Sequence, residues 1–338
     1  MFTIVSFAAM MIATAHVLRT NWPANGMPLL AWQSHVGAIV AMLIEITTRA
    51  LKIQASAHAI GAPIPFATSL RVCLAGDFAA AITPARSGAE PARFLVLAEA
   101  GVSASARVII LFLELLLEMI SLALVCVVLA ILFSGRGASA SGLLALVGGY
   151  SIAVLGITAI GVVLARRRAS GPPPVWARRI GLHAGRWRVL QRTLRQLKGS
   201  MRALRSANRR LMSIAFAGSV LHVICKVAAL PLLVYLSAPE FPLTMQTLAP
   251  LVLWPLALFY GGVVVPAPGG GGFIEGAFAA TLKDAIPAAV FAASLLWWRF
   301  YTFYLYIIVG GLAAGDAALR AIKRRGNDAT DSGNQQGT

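Results

Sequence analysis

Acidic residues are scarce in this sequence: 12 aspartates and glutamates stand against 29 lysines and arginines, and charged residues of both signs make up only 12% of the chain. Between Glu118 and Glu240 there is no acidic residue at all. Apolar residues reach 58%, too many for a soluble enzyme with one apolar core. Cysteine is nearly missing. Cys73, Cys126 and Cys225 each lie in an apolar segment and none forms a CxxC pair. No disulfide framework or metal site follows from them, and they read as small packing residues. His16, His35, His58 and His183 are isolated and no HExxH occurs, so no metal site is expected. A nucleotide-binding motif and a Ser/His/Asp constellation are also missing. Neither a cofactor nor catalysis is expected, and an intramembrane hydrolase is the least supported reading.

What the sequence does have is long apolar runs. Several approach the roughly 18–20 residues that span a bilayer. Candidate spans cover about 2–18, 29–49, 107–133, 142–165, 211–236 and 288–315. No positive residue precedes the first run, so it reads as a retained span rather than a cleaved signal. The expected fold is all-α: a polytopic membrane protein with about six full spans and two re-entrant helical hairpins.

The hairpins come from one repeated pattern. Thr83-Pro84-Ala85-Arg86-Ser87-Gly88-Ala89-Glu90 and Pro266-Ala267-Pro268-Gly269-Gly270-Gly271-Gly272-Phe273-Ile274-Glu275 each break an apolar stretch and close on a glutamate. A lone charge stands at the same distance beyond each, Glu114 after Glu90 and Arg299 after Glu275. The apolar segments around the breaks, about 66–83 with 89–100 and 244–265 with 273–283, are expected to fold back on themselves inside the protein. Residues 26–134 and 211–319 both contain span, hairpin, span, offset by about 185 positions. The extra span 142–165 between them inverts the second copy. Interrupted segments at matching places in two inverted halves mark the binding site of many transporters.

Charge sets the expected topology. The net charge of +17 sits mainly in a loop, 166–210, and in a polar tail, 323–338, leaving residues 1–322 as one transmembrane domain. Positive loops face the cytoplasm, so both termini are expected there, with Arg49 and Lys52 on the same side. In the loop, Trp187, Leu190, Leu194, Leu197, Met201 and Leu204 make one helical face. Arg188, Arg192, Arg195, Lys198, Arg202 and Arg205 make the stripe beside it. Such a helix lies on the inner leaflet and holds anionic lipid heads, or is a solvated linker; nucleic acid is not an expected partner.

A helix that starts inside the membrane offers free N–H groups to an anion. Gly88 and the run Gly269, Gly270, Gly271, Gly272 let a head group come near the backbone. Arg86, Arg93 and Arg299 add positive charge. Glu90, Glu114, Glu118 and Glu275 are candidate ligand, proton or counter-ion sites. Glu90 and Glu275 equally suit the first turn of a helix, and Glu114 equally suits a structural ion pair. Glu45 and Arg49 read as a simple i,i+4 pair near the membrane face. His222 and Lys226 share one helical face in mid-span, where a charge is costly and functional by default.

These motifs also carry a resemblance. Residues Asp77–Glu118, with TPARSGAEPARF and a later ELLLE, resemble the first signature of the lysylphosphatidylglycerol synthase transmembrane-domain family, also called flippase-like membrane proteins. VPAPGGGGFIEGAF, with Arg299 and the tyrosine-rich span after it, resembles the second, and the likeness covers roughly residues 25–315. This chain has Glu114-Leu115 and Glu118 where the family commonly has Glu-Arg and a later Asp. The resemblance implies a protein of the inner membrane linked to lipid translocation, a stand-alone member without the aminoacyl-transfer domain. The expected ligand is a phospholipid or a polyprenyl-phosphate-linked lipid. Two alternatives stand beside the flippase: a non-transporting accessory protein working with enzymes of hopanoid or glycolipid biosynthesis, and a small-anion secondary transporter.

Overall fold

The computed structural model describes residues 2–20, 22, 29–133, 138–166, 185, 187–188, 191, 206–261, 265 and 267–313. Every regular element among them is helical. In chain order these are α1 (Phe2–Thr20), α2 (Trp32–Ala59), α3 (Phe66–Ile82), α4 (Ala89–Glu99), α5 (Ala104–Leu132) and α6 (Ala138–Arg166). After the basic loop come α7 (Arg209–Tyr235), α8 (Met245–Gly261), α9 (Phe273–Leu282) and α10 (Ala288–Ala313). The all-α membrane architecture read from the sequence therefore holds. Among the described residues α5, α7 and α10 are long and apolar enough to cross a bilayer. Of the basic stripe only Arg188 lies within the described residues; Arg192, Arg195, Lys198, Arg202 and Arg205 lie outside them, as does the tail.

Two of the long helices begin where a side chain supplies partners for the first N–H groups. Ser103 Oγ accepts from Ala106 N–H at α5, and Asn208 Oδ1 accepts from Arg210 and Leu211 at α7. The short helices α4 and α9, 11 and 10 residues, rise roughly 16 Å, about half of the hydrocarbon thickness. Each follows a Pro/Gly break and packs on the helix before it, α4 on α3 and α9 on α8.

The centre of the bundle is the pair α2 and α7, the most extensive helix contact among the described residues. Small residues let the two backbones close up. A Cβ on Gly218 would lie 3.0 Å from the Thr48 carbonyl oxygen, and Ala38, Ala41, Ser219 and Ala229 are buried along the same pair. Around this axis the main apolar core gathers Leu230, Leu233, Leu251, Phe278, Phe291 and Trp298 from α7 to α10. Just after Arg299, α10 widens into a π turn over Phe300–Tyr304, a device frequent at functional sites.

Arg49 and Lys52 correct one step of the topological reading. Both are buried inside the bundle, Lys52 completely. They are held by internal carboxylates, so they carry no information on which face of the membrane α2 ends.

Close packing at Gly218 is testable. Gly218→Leu is expected to lower stability by about 1–3 kcal/mol by overpacking. Gly149→Leu, with nothing within 4 Å of its would-be Cβ, is expected to change it by less than about 0.5 kcal/mol. Unfolding midpoints of the two variants in detergent micelles make the comparison.

Candidate functional site

The two breaks share one backbone shape. Pro84-Ala85-Arg86 and Pro268-Gly269-Gly270 are both 3-10 turns. In each, the two residues after the proline have positive φ: 48° and 57° at Ala85 and Arg86, 60° and 66° at Gly269 and Gly270. Glycine adopts this region freely; an L side chain is strained there by about 1–2 kcal/mol. The first turn is held by Thr83, whose Oγ1 accepts from Gly88 N–H at 2.8 Å and donates to the Ala79 carbonyl at 2.6 Å. The second is held by Glu275, whose Oε2 accepts from Gly272 N–H at 2.8 Å. The two turns pack against one another.

Beneath the turns lies a network of buried charge. On α2, Glu45, Arg49 and Lys52 point to one side and are all buried. Arg49 binds both oxygens of Asp77 on α3, with Nη1 to Oδ1 at 3.0 Å, and its Nε lies 3.5 Å from Glu45. Lys52 Nζ donates to Glu118 on α5 at 2.7 Å and lies 3.5 Å from Glu114. Arg93 on α4 donates to Glu114 at 2.6 Å and to Glu90 at 3.1 Å. His222 on α7 sits between two carboxylates, with Nε2 at 2.7 Å from Glu118 and Nδ1 at 3.3 Å from Glu45. Two phenols complete these acids, Tyr260 donating to Glu118 at 2.8 Å and Tyr306 to Glu45. Separately, Arg299 Nε donates to Glu275 at 2.7 Å.

Where this network meets the two turns there is a cavity of about 70 Å³. That is room for roughly five water molecules, the scale of a phosphoryl group. Four cations line it: Arg49, Arg86, Lys226 and Arg299. Only two carboxylates do, Glu45 and Asp77. Arg86 comes from the first turn and Gly269 from the second; Phe259, Phe303 and Tyr306 supply apolar walls. Arg299 is 3% exposed, and its Nη2 has no hydrogen-bond partner. Lys226 Nζ lies over the Phe259 ring at 4.9 Å, and Arg299 over Phe303 at 4.3 Å. The lining is thus net positive with aromatic walls.

Of the residues singled out in the sequence, Arg86, Gly269 and Arg299 line this cavity. Glu275 stands directly behind it with both oxygens engaged, as helix cap and as partner of Arg299. Gly88 is a close-packed position, since a Cβ there would lie 2.8 Å from Thr83. Gly270, Gly271 and Gly272 shape the second turn. Glu114, Glu118 and Arg93 belong to the ion-pair network one layer away, and Glu90 is 59% exposed at its edge. Glu114 and Arg299 are not joined across the halves. Each closes a pair within its own segment, Glu90–Arg93–Glu114 in the first and Glu275–Arg299 in the second. Sequence reasoning passed over Glu45, Arg49 and Asp77 as cavity residues, and marked Lys226 only as a costly mid-span charge on the same face as His222. The signal was available in part. Glu45, Arg49 and Lys52 recur at four- and three-residue steps in an otherwise apolar helix, which is one face of charge and not a single i,i+4 pair.

The Arg49–Asp77 bridge gives a direct test. Arg49→Met strands a buried carboxylate and is expected to cost about 3–5 kcal/mol. Pairing it with Asp77→Leu is expected to recover most of that loss. A double-mutant cycle in chemical denaturation reads the coupling; additive losses would contradict the bridge.

The comparisons agree with this architecture. No curated protein shows a match to the sequence. The family described as lysylphosphatidylglycerol synthase TM region matches residues 3–310 of the 338. That range takes in every helix from α2 to α9, both broken turns and all the residues of the cavity. The chain is thus a membrane protein of the lysylphosphatidylglycerol synthase TM-region family, whose setting is membrane lipid.

Proposed function

We propose that the protein binds the anionic head group of a lipid between its two broken turns and carries that lipid between the leaflets of the inner membrane. The single observation behind this reading is the cavity lined by four cations and two carboxylates, at the meeting point of the two turns. An apolar bundle excludes such a set of charges unless they serve one another or a ligand. The Arg49–Asp77 and Arg299–Glu275 bridges serve one another; Arg86 and Lys226 have no carboxylate within 4 Å among the described residues. A phosphate-bearing head group supplies the missing charge, and its chains remain in the bilayer. No soluble catalytic centre is needed for such a role. With both termini in the cytoplasm, rocking of one hairpin-containing segment against the other opens the cavity to each leaflet in turn.

The small volume also suits a free anion, and the same experiment separates the two. In proteoliposomes carrying fluorescent phosphatidylglycerol or phosphatidic acid, dithionite quenching measures how fast label moves between leaflets. The protein is expected to accelerate it, and Arg86→Ala or Lys226→Met to slow it at least about tenfold, a loss of about 1.4 kcal/mol. Arg299→Lys, which keeps the charge beside Glu275, is expected to fold and to slow transport less. Movement no faster than in empty liposomes, or full rates in both charge-removing variants, would refute the reading. Phosphate uptake without lipid movement would favour the small-anion transporter.

A further inference from the structure

The ion pairs inside the bundle divide by residue type as well as by place. Among the described residues, every pair made by lysine or arginine stays within one of the two hairpin-containing segments, between residues 45 and 118 or between 275 and 299. The two pairs that cross from one segment to the other both belong to His222. From α7 its ring reaches Glu45 on α2 at 3.3 Å and Glu118 on α5 at 2.7 Å, one carboxylate at each nitrogen. The ring is buried, and Glu45 is also part of the cavity wall. The helices packed around this bridge bring further charged and titratable groups to it. Lys52 on α2 and Tyr260 on α8 hold Glu118, while Arg49 on α2 and Tyr306 on α10 hold Glu45. Behind these, Glu114 on α5 lies beside Lys52, and Asp77 on α3 is bound by Arg49. On α7 itself, Lys226 and Cys225 are within electrostatic reach of Glu45.

A neutral imidazole has one N–H and one lone pair. Between two carboxylates it donates to one and turns its lone pair toward the other. A ring protonated at both nitrogens donates to both. Histidine is the side chain that makes this change near neutral pH. The contact between the two segments therefore strengthens when a proton is taken up and weakens when it is lost. The same proton raises the net charge of Glu45, His222 and Glu118 by one, whichever of the three holds it, and does so next to the cavity. An anion in the cavity then favours the proton, and by linkage the proton favours the anion to the same degree. Resting on the reading of this cavity as a head-group site, we infer that His222 is a proton-binding site and that the carrier is a proton–anion symporter, each head group crossing with one proton bound at the His222 bridge. Cavity and bridge open together, because both lie between the same two segments: Glu45 and Arg86 line the cavity from the first, Lys226 and Gly269 from the second.

Proteoliposomes of the full chain test it, with a trace of fluorescent phosphatidylglycerol in the outer leaflet, the membrane potential clamped at zero by potassium and valinomycin, and a pH step of one unit. The phosphodiester keeps its single charge near neutral pH, so a response to the step belongs to the protein. One proton per lipid turns one pH unit into a ratio of about tenfold between the leaflets at steady state, or about 1.4 kcal/mol, with the excess on the alkaline side. His222→Gln, whose amide cannot exchange a proton, is expected to equalise the label in spite of the step. Melting temperature and gel-filtration profile report folding, and His222→Asn carries the test if His222→Gln does not fold. Equal label in the wild type under the step overturns the symport while leaving head-group carriage, and an excess on the acidic side overturns it in favour of exchange. The same excess in wild type and variant overturns the assignment to His222, as does a folded variant that moves no label with or without the step. Movement no faster than in empty liposomes removes the head-group reading, and the symport with it.

Discussion

Three charged side chains on one face of α2 have to be neutralised inside an apolar bundle, and the placement of most other helices around the site follows from how that is done. Glu45, Arg49 and Lys52 leave α2 toward α3, α5, α7 and α10 and meet Asp77, Glu114, Glu118, His222 and Tyr306 there. A buried charge that loses its partner costs about 3–5 kcal/mol, so each of these contacts fixes a helix in position and in rotation. Apolar packing alone would leave the rotation loose, because lipid is as good a neighbour for leucine as protein is. The small residues along α2 and α7 then allow the backbone approach that His222 needs to reach Glu45.

A network of this kind is satisfied almost everywhere except at its border. Away from the cavity, acids and bases pair within hydrogen-bond reach, and phenols take up spare carboxylate oxygens. At the cavity two of the four lining cations, Arg86 and Lys226, have no carboxylate within 4 Å among the described residues. In the proposed reading, structural ion pairs and the binding site are therefore parts of one system. The pairs hold Arg49 and Arg299 at the wall with their outer faces available, and the unmatched Arg86 and Lys226 set the sign of the field. Removing an inner pair is expected to act on folding, and removing an unmatched cation on binding.

Much of this was legible from the residues. Most helix boundaries follow hydropathy closely: the expected hairpin segments 66–83 and 89–100 correspond to Phe66–Ile82 and Ala89–Glu99, whereas the span expected over 29–49 is a helix that runs on to Ala59. The two breaks were legible because proline and glycine interrupt helices for local reasons. The partners were not, because they are far apart in the chain. Glu45 and His222 are 177 residues apart, and Lys52 and Glu118 are 66. No local pattern encodes such a distance. The same gap explains why Glu90 and Glu114 were given ligand roles. A lone acid in an apolar run announces that it needs a partner, but not whether that partner is a ligand or, as here, Arg93.

The two breaks also differ in a way that bears on what the site does. Both turns require two consecutive residues at positive φ, and the second meets the requirement with glycines. The first uses alanine and arginine, which are strained there by about 1–2 kcal/mol each. Glycine would relieve that strain and could form the same turn, as Gly269 and Gly270 do. What glycine cannot supply is a side chain. Arg86 stands at the first turn as a cation lining the cavity, while Gly269 at the second lies against Phe303, where a Cβ would collide at 2.1 Å. One turn is thus kept bare so that the bundle can close over it, and the other tolerates strain to bring a charge to the same space. A fold that needed only two matching turns would have no use for that difference; the proposed anion site, gripping its ligand from one side, would.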